Sequence, residues 1–109
     1  MNIYHLLTPS DWIRAQKKDQ YAPSSLQTEG FIHCSTEQQL FATASRYYAE
    51  EQELRVFKIE EKQVKTHLKW EKSFQGDLFP HIYRAIHRTD ITATLRVVKN
   101  HRGEWGWAD

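Results

Sequence analysis

Glu29-Gly30-Phe31-Ile32-His33-Cys34-Ser35-Thr36 packs a turn glycine, a short apolar strand, a histidine and a helix start into eight consecutive positions. Successive side chains of an extended segment point to opposite faces, so Phe31, His33 and Ser35 share one face and Ile32 and Cys34 the other. His33 is therefore expected beside apolar neighbours, aimed the same way as a hydroxyl. Directly after it, Ser35 with Gln38, or Thr36 with Gln39, reads as a capping box opening an amphipathic helix. A strand-end histidine beside the free N–H groups of a helix start is a place to hold a polar or anionic ligand. The competing reading is a histidine hydrogen-bonded in the core or at its rim.

Working outward, Leu40, Phe41, Ala44, Tyr47 and Tyr48 recur at helical spacing and predict a helix from Thr36 to about Glu50. Leu54–Ile59 reads as a central strand, apolar on both faces except at Arg55 and Lys58. The run 60–65 reads as too charged for a core. His67–Glu71 alternates like a half-exposed strand, residues 72–77 with Gly76 form a turn, and 78–86 is extended, with Pro80 marking an edge or a bend. Ile91, Ala93, Leu95 and Val97 alternate with Thr92, Thr94 and Arg96 in an expected final strand. Upstream, residues 2–7 form a first strand, with Ile3 and His5 on one face and Tyr4 and Leu6 on the other. Thr8-Pro9-Ser10-Asp11 starts a helix over about residues 9–18, with Thr8 as N-cap and Pro9 where its missing N–H is harmless. Residues 19–30 are expected as a loop forming part of a binding rim. The order gives an α+β fold: two helices in the N-terminal half packed on twisted, largely antiparallel sheets. Residues 1–99 would form one domain and 100–109 a polar tail.

Fifteen Lys and Arg against fourteen Asp and Glu leave a net charge of +1, so no global field draws nucleic acid or an anionic membrane. A mean hydropathy of −0.75 and the absence of any run near the roughly 20 apolar residues of a membrane span make a cytoplasmic protein the default expectation. Cys34 is the single cysteine, which excludes an internal disulfide and a zinc ribbon. The four Trp, five Tyr and five Phe fit core packing first and stacking on a flat ligand second.

Three of the six histidines, His5, His33 and His81, lie in strand-like apolar segments and are expected to converge near the second helix start. Convergence on a metal would suit hydrolysis, yet the sequence holds no His-x-x-x-His and no acidic ligand loop, so no metal ligand is assigned. Cys34 lies on the strand face opposite His33, which disfavours a thiol nucleophile with that base. No P-loop or Gly-x-Gly-x-x-Gly is present. Glu71, following Trp70 on a strand, is the best acidic candidate, against its reading as a solvent-facing charge.

The runs Ile3-Tyr4-His5-Leu6, Gly30-Phe31-Ile32-His33-Cys34-Ser35, Trp70-Glu71 and Phe79-Pro80-His81-Ile82-Tyr83 together resemble the bacterial family known as domain of unknown function nine-five-two. More remotely, the layout is similar to the ADP-ribosyltransferase superfamily, including the RNA 2′-phosphotransferases. That resemblance implies NAD in a cleft between two sheets, with His5 as ribose ligand and Ser35 and Thr36 as second-motif hydroxyls. It also implies Tyr83 or Trp70 as a stacking residue and Glu71 as the acid that steadies a ribosyl cation. His33, His81 and the early position of Glu71 depart from the superfamily pattern. The reading is an ADP-ribosyltransferase-like domain with His5, His33, Glu71 and His81 as catalytic candidates. Tyr4, His5, Ser35, Thr36 and Tyr83 are the candidate contacts to NAD or another nucleotide-like ligand. A non-catalytic ligand-binding module and a metal-dependent hydrolase are the alternatives.

Overall fold

Continuous burial along β1 (Asn2–Leu7) sets the architecture, because both of its faces are covered. The computed structural model describes residues 1–108. After β1 come α1 (Pro9–Ala15), β2 (Gln20–Tyr21), α2 (Ser24–Thr28), β3 (Ile32–His33) and α3 (Glu37–Tyr47). Then follow β4 (Glu53–Glu60), α4 (Glu61–Val64), β5 (Leu68–Lys72), β6 (Leu78–Ile82), β7 (Ile86–His87), β8 (Ile91–Lys99) and β9 (Trp105–Trp107). The fold is α+β with antiparallel pairing throughout: a four-stranded sheet β1-β4-β8-β9, a three-stranded sheet β3-β6-β5 and the short pair β2-β7. Tyr4 and Ser35 exchange two backbone hydrogen bonds of 2.8 Å, which join β1 to the segment after β3 and curl the two larger sheets into one surface.

Ile3 and Leu7 point to the inside of this curl and meet Ile32, Cys34, Ile59 and Ile82. Tyr4 and Leu6 point the other way and meet Leu40 and Ala44 of α3, with Leu54, Val56 and Val97. Each fully buried aliphatic side chain contributes about 1.5–3 kcal/mol, so these two clusters hold the sheet between α3 on one side and α1 with the small sheet on the other.

Both expected helix starts form. Thr8 caps α1 by accepting from the Asp11 N–H at 3.1 Å, with Pro9 in the first turn. The helix ends at Ala15 rather than near residue 18, because the chain must turn to bring Tyr21 into the core. At α3 the capping box uses Thr36 and Gln39: the Gln39 N–H donates to Thr36 Oγ1 (3.2 Å) and the Thr36 N–H to Gln39 Oε1 (3.0 Å). Gln39 Nε2 also donates to the Leu78 carbonyl at 2.8 Å, tying the helix start to β6. Thr36→Ala should lower stability by about 1 kcal/mol, read as a lower urea midpoint with an unchanged slope; an unchanged midpoint would contradict the cap.

Four expectations need correction. The loop 19–30 contains β2 and α2, and the described residues hold four α-helices rather than two. The charged run 60–65 does reach the core, through the fully buried Val64 of α4. Pro80 lies in the middle strand of the small sheet, not at an edge. Its carbonyl accepts from the Cys34 N–H (3.1 Å), but it has no N–H to return, so the ladder stops there. The described part of the expected tail, residues 100–108, is not loose, and β8 is not the last strand. Gly103 at φ 79° and the Asn100 side chain, which accepts from the N–H groups of Arg102 and Glu104, form a hairpin. It lays β9 on β8 and buries Trp105. Asp109 lies outside the described residues. No helix among the described residues is long and apolar enough to cross a membrane.

Candidate functional site

The antiparallel register of the small sheet puts His33 directly opposite His81, and His81 opposite Lys69. Because Cys34 and Pro80 form the hydrogen-bonded position next to them, His33 and His81 occupy the closer, non-hydrogen-bonded kind of pair. Their rings lie 5.3 Å apart between centroids, edge to face. Period-two alternation adds Phe31, Glu71 and Tyr83 to the same outer face while Ile32 and Ile82 point into the core. Phe31 stacks on His81 at 4.2 Å with 20° between planes, and lies 5.4 Å from Tyr83.

Glu71 is the electrostatic centre of this face. Its Oε1 accepts from His81 Nδ1–H at 2.7 Å and from Tyr83 O–H at 2.6 Å. Those bonds, Tyr83 first and then His81, hold the carboxyl below the usual carboxylate range, so it stays ionised. The same bond raises the Tyr83 phenol. With Nδ1–H committed to Glu71, the tautomer of a neutral His81 is fixed and Nε2 is left as an acceptor. His33 is exposed, and its Nε2 donates to Glu29 Oε2 at 3.0 Å. Lys69 Nζ sits 4.7 Å from the Tyr83 ring centre.

The other candidates lie elsewhere. His5 is buried on the inner face of β1, where its Nδ1–H donates to the His33 carbonyl at 2.7 Å. It therefore supports the strand that presents His33 and does not share its hollow, so the expected convergence of the three imidazoles is limited to two. Burial lowers the His5 pKa to about 4, outweighing the hydrogen bond to His33, and keeps the ring neutral. Tyr4 points to the α3 side, with its hydroxyl 3.3 Å from Glu37 Oε1. The Ser35 hydroxyl donates to Thr43 Oγ1 at 3.3 Å, and that of Thr36 is spent on the cap. Trp70 faces inward, its indole N–H donating to Glu61 at 2.9 Å. Cys34 is buried, which pushes its thiol pKa up and leaves it protonated. Among the described residues no group of three or more His, Cys, Asp or Glu is placed to hold a metal ion. Phe31 looks in the sequence like an ordinary apolar strand residue; its position two residues before His33 is the signal for the stack on His81.

Among curated proteins none matches the chain. Two solved structures of protein CC0527 from Caulobacter crescentus are similar to it. The crystal structure has a TM-score of 0.87 at 26% identity, covering 97% of this chain and 94% of that one. The solution NMR structure has a TM-score of 0.82 at 28% identity over 94% and 90%. The descriptions of both name no activity. A family model described as "Protein of unknown function (DUF952)" matches residues 6–94, nearly the whole span from β1 to β8, and the chain belongs to that family.

Proposed function

We propose that the outer face of the small sheet binds a nucleotide-like ligand, with NAD as the first candidate, and acts in cleavage or transfer at a ribosyl bond on an ADP-ribosyltransferase-like scaffold. The observation that carries the reading is the shared bond at Glu71: one carboxylate oxygen accepts from both His81 and Tyr83, and the part-exposed side chain keeps its second oxygen for a ligand. When a glycosidic C–N bond breaks, positive charge develops at the sugar carbon, and a fixed carboxylate beside it stabilises that charge more than the neutral ground state. Phe31 and Tyr83 offer aromatic surface for a flat heterocycle. The curled junction of β1 and β3, with His5 beneath it, supports the scaffold assignment.

Binding without turnover is the second reading. It is favoured by the openness of this face, since the His33 and Glu71 side chains are exposed to solvent and an open face excludes little water. Calorimetric titration with NAD, ADP-ribose and a phosphorylated RNA fragment, paired with a nicotinamide-release assay, separates the two. Turnover should fall about a hundredfold in Glu71→Gln with binding retained. Heat without nicotinamide release selects the binding module, and no heat from any of the three removes both readings.

A further inference from the structure

β5 is an end strand of the small sheet: β6 lies on one side of it, and no described strand lies on the other. The hairpin bonds fix which of its backbone groups face outward. Tyr83 N–H donates to the His67 carbonyl at 2.7 Å, and Ser73 N–H to the Asp77 carbonyl at 2.8 Å. In an antiparallel strand the N–H and C=O of every second residue turn the same way. Lys69 and Glu71 therefore bond to β6, while Leu68, Trp70 and Lys72 turn their groups to the open edge. The Leu68 N–H is spent on the Lys65 carbonyl. The Leu68 carbonyl and both groups of Trp70 and Lys72 have no backbone partner among the described residues. Such a row is a template for another strand.

The sequence of this edge complements itself in one register. Pairing of two identical antiparallel strands places a twofold axis through one residue. An axis at Lys69, Glu71 or Lys72 sets like charges face to face, which repels. An axis at Leu68 runs the ladder into the helical turns 61–67, which cannot continue it. The axis at Trp70 sets Lys69 opposite Glu71 of the second copy, twice by symmetry, in the closer, non-hydrogen-bonded kind of pair. Trp70 then exchanges both backbone bonds with Trp70 of the second copy, and Lys72 N–H reaches the second Leu68 carbonyl. Edge lysines ordinarily oppose strand addition, but here Lys69 meets an acid and the exposed Lys72 lies opposite Leu68. The same register brings Phe74, 79% exposed in the single chain, level with Thr66 of the second copy.

We propose that the open edge of β5 is a docking surface for a second copy of this chain, giving a twofold dimer with its axis at Trp70. The two small sheets join into one continuous sheet. Directly opposite residues share a face, so the outer faces that carry His33, His81 and Glu71 merge, and Lys69 of each copy stands opposite Glu71 of the other. The contact is short and mostly main chain, below the roughly 1,200 Å² of stable complexes, so the dimer is weak and depends on concentration. It rests on the backbone edge and one charge pair, not on the ribosyl reading.

The test is sedimentation equilibrium over a concentration series reaching the millimolar range, with the full chain and three variants. The wild type should show a monomer–dimer equilibrium. Lys69→Glu and Glu71→Lys should each weaken self-association about tenfold or more, because each replaces both attractive pairs by repulsive ones. An equimolar mixture of these two variants should associate at near wild-type strength, since each strand then meets one of opposite charge. Lys72→Pro removes an outward N–H that the β5–β6 ladder does not use, so it should spare the monomer and weaken the dimer about tenfold or more. A wild type that stays monomeric over the whole series leaves the edge to a strand of another protein and overturns the dimer. A mixture that associates no better than its components overturns it too, as does a Lys72→Pro chain that dimerises like the wild type. Should Lys72→Pro not fold, the mixture decides.

Discussion

Asp90→Ala will destabilise the fold by about 3–5 kcal/mol, the range for removing one partner of a buried ion pair. Asp90 is buried in the turn just before β8 and receives Arg84 at 2.7 and 3.2 Å and the His87 N–H at 2.8 Å. Arg84 in turn donates to the carbonyls of Ala85 and Gln63, so one carboxylate anchors the whole turn that follows Tyr83. Alanine leaves a half-buried guanidinium and a backbone N–H without their acceptor. Against a total of about 5–15 kcal/mol for a domain, that loss brings the midpoint of thermal unfolding down by more than about 10 °C. The double variant Arg84→Met with Asp90→Ala should recover part of the loss, because no charge is then stranded. Thermal melts of the two single variants and the double give the coupling, and strictly additive losses would contradict the pair.

The Asp90 pKa also fixes a sign. Burial raises it, but the Arg84 bonds, the His87 N–H and the Arg84 charge outweigh burial and leave it below the usual aspartate value. The stability it contributes is present above the ordinary carboxylate range and is lost as pH falls through its lower folded value.

His5 gives the second large effect, in a different pH window. An unfolded histidine titrates near 6.5, whereas burial holds folded His5 at about 4. Between these values the unfolded chain binds a proton that the folded chain refuses, so stability falls as pH drops from about 6.5 to about 4. The loss is about 3 kcal/mol at the lower end. His5→Phe should be less stable at neutral pH, because the His33 carbonyl loses its donor. Its stability should nevertheless decline less between pH 6.5 and 4.5 than that of the wild type. Urea unfolding of both proteins across that window checks the point, and parallel curves would refute a neutral buried imidazole.

Local chemistry was readable from the sequence, and pairing was not. Thr8 with Pro9, the Thr36–Gln39 box, the two-faced apolar run of the central strand β4 and the alternation through β8 all involve residues a few positions apart, and each formed as expected. The face assignment of Phe31 and His33 against Ile32 and Cys34 also held. What failed depended on long-range register. The bridge pairs Ser35 with Tyr4 and not with His5, so His5 turns to the opposite face from His33; a slip of one residue would have reversed this. Trp105 and Trp107 carried the strand period, but three residues in a polar context gave too short a pattern, and only the surface of α3 and β8 makes burying Trp105 favourable. Val64 is a single apolar residue in a charged run, and its burial comes from where β4 ends, not from its neighbours in sequence.

His33, His81 and Glu71 together make up the proposed ligand-binding face. The direct measurement is an NMR titration of the histidine ring signals with NAD. The ring signals of His33 and His81 should move together and saturate, while those of His87 and His101, which lie outside the small sheet, stay in place. Rings of His33 and His81 that do not respond, or a uniform drift of all four, would contradict it.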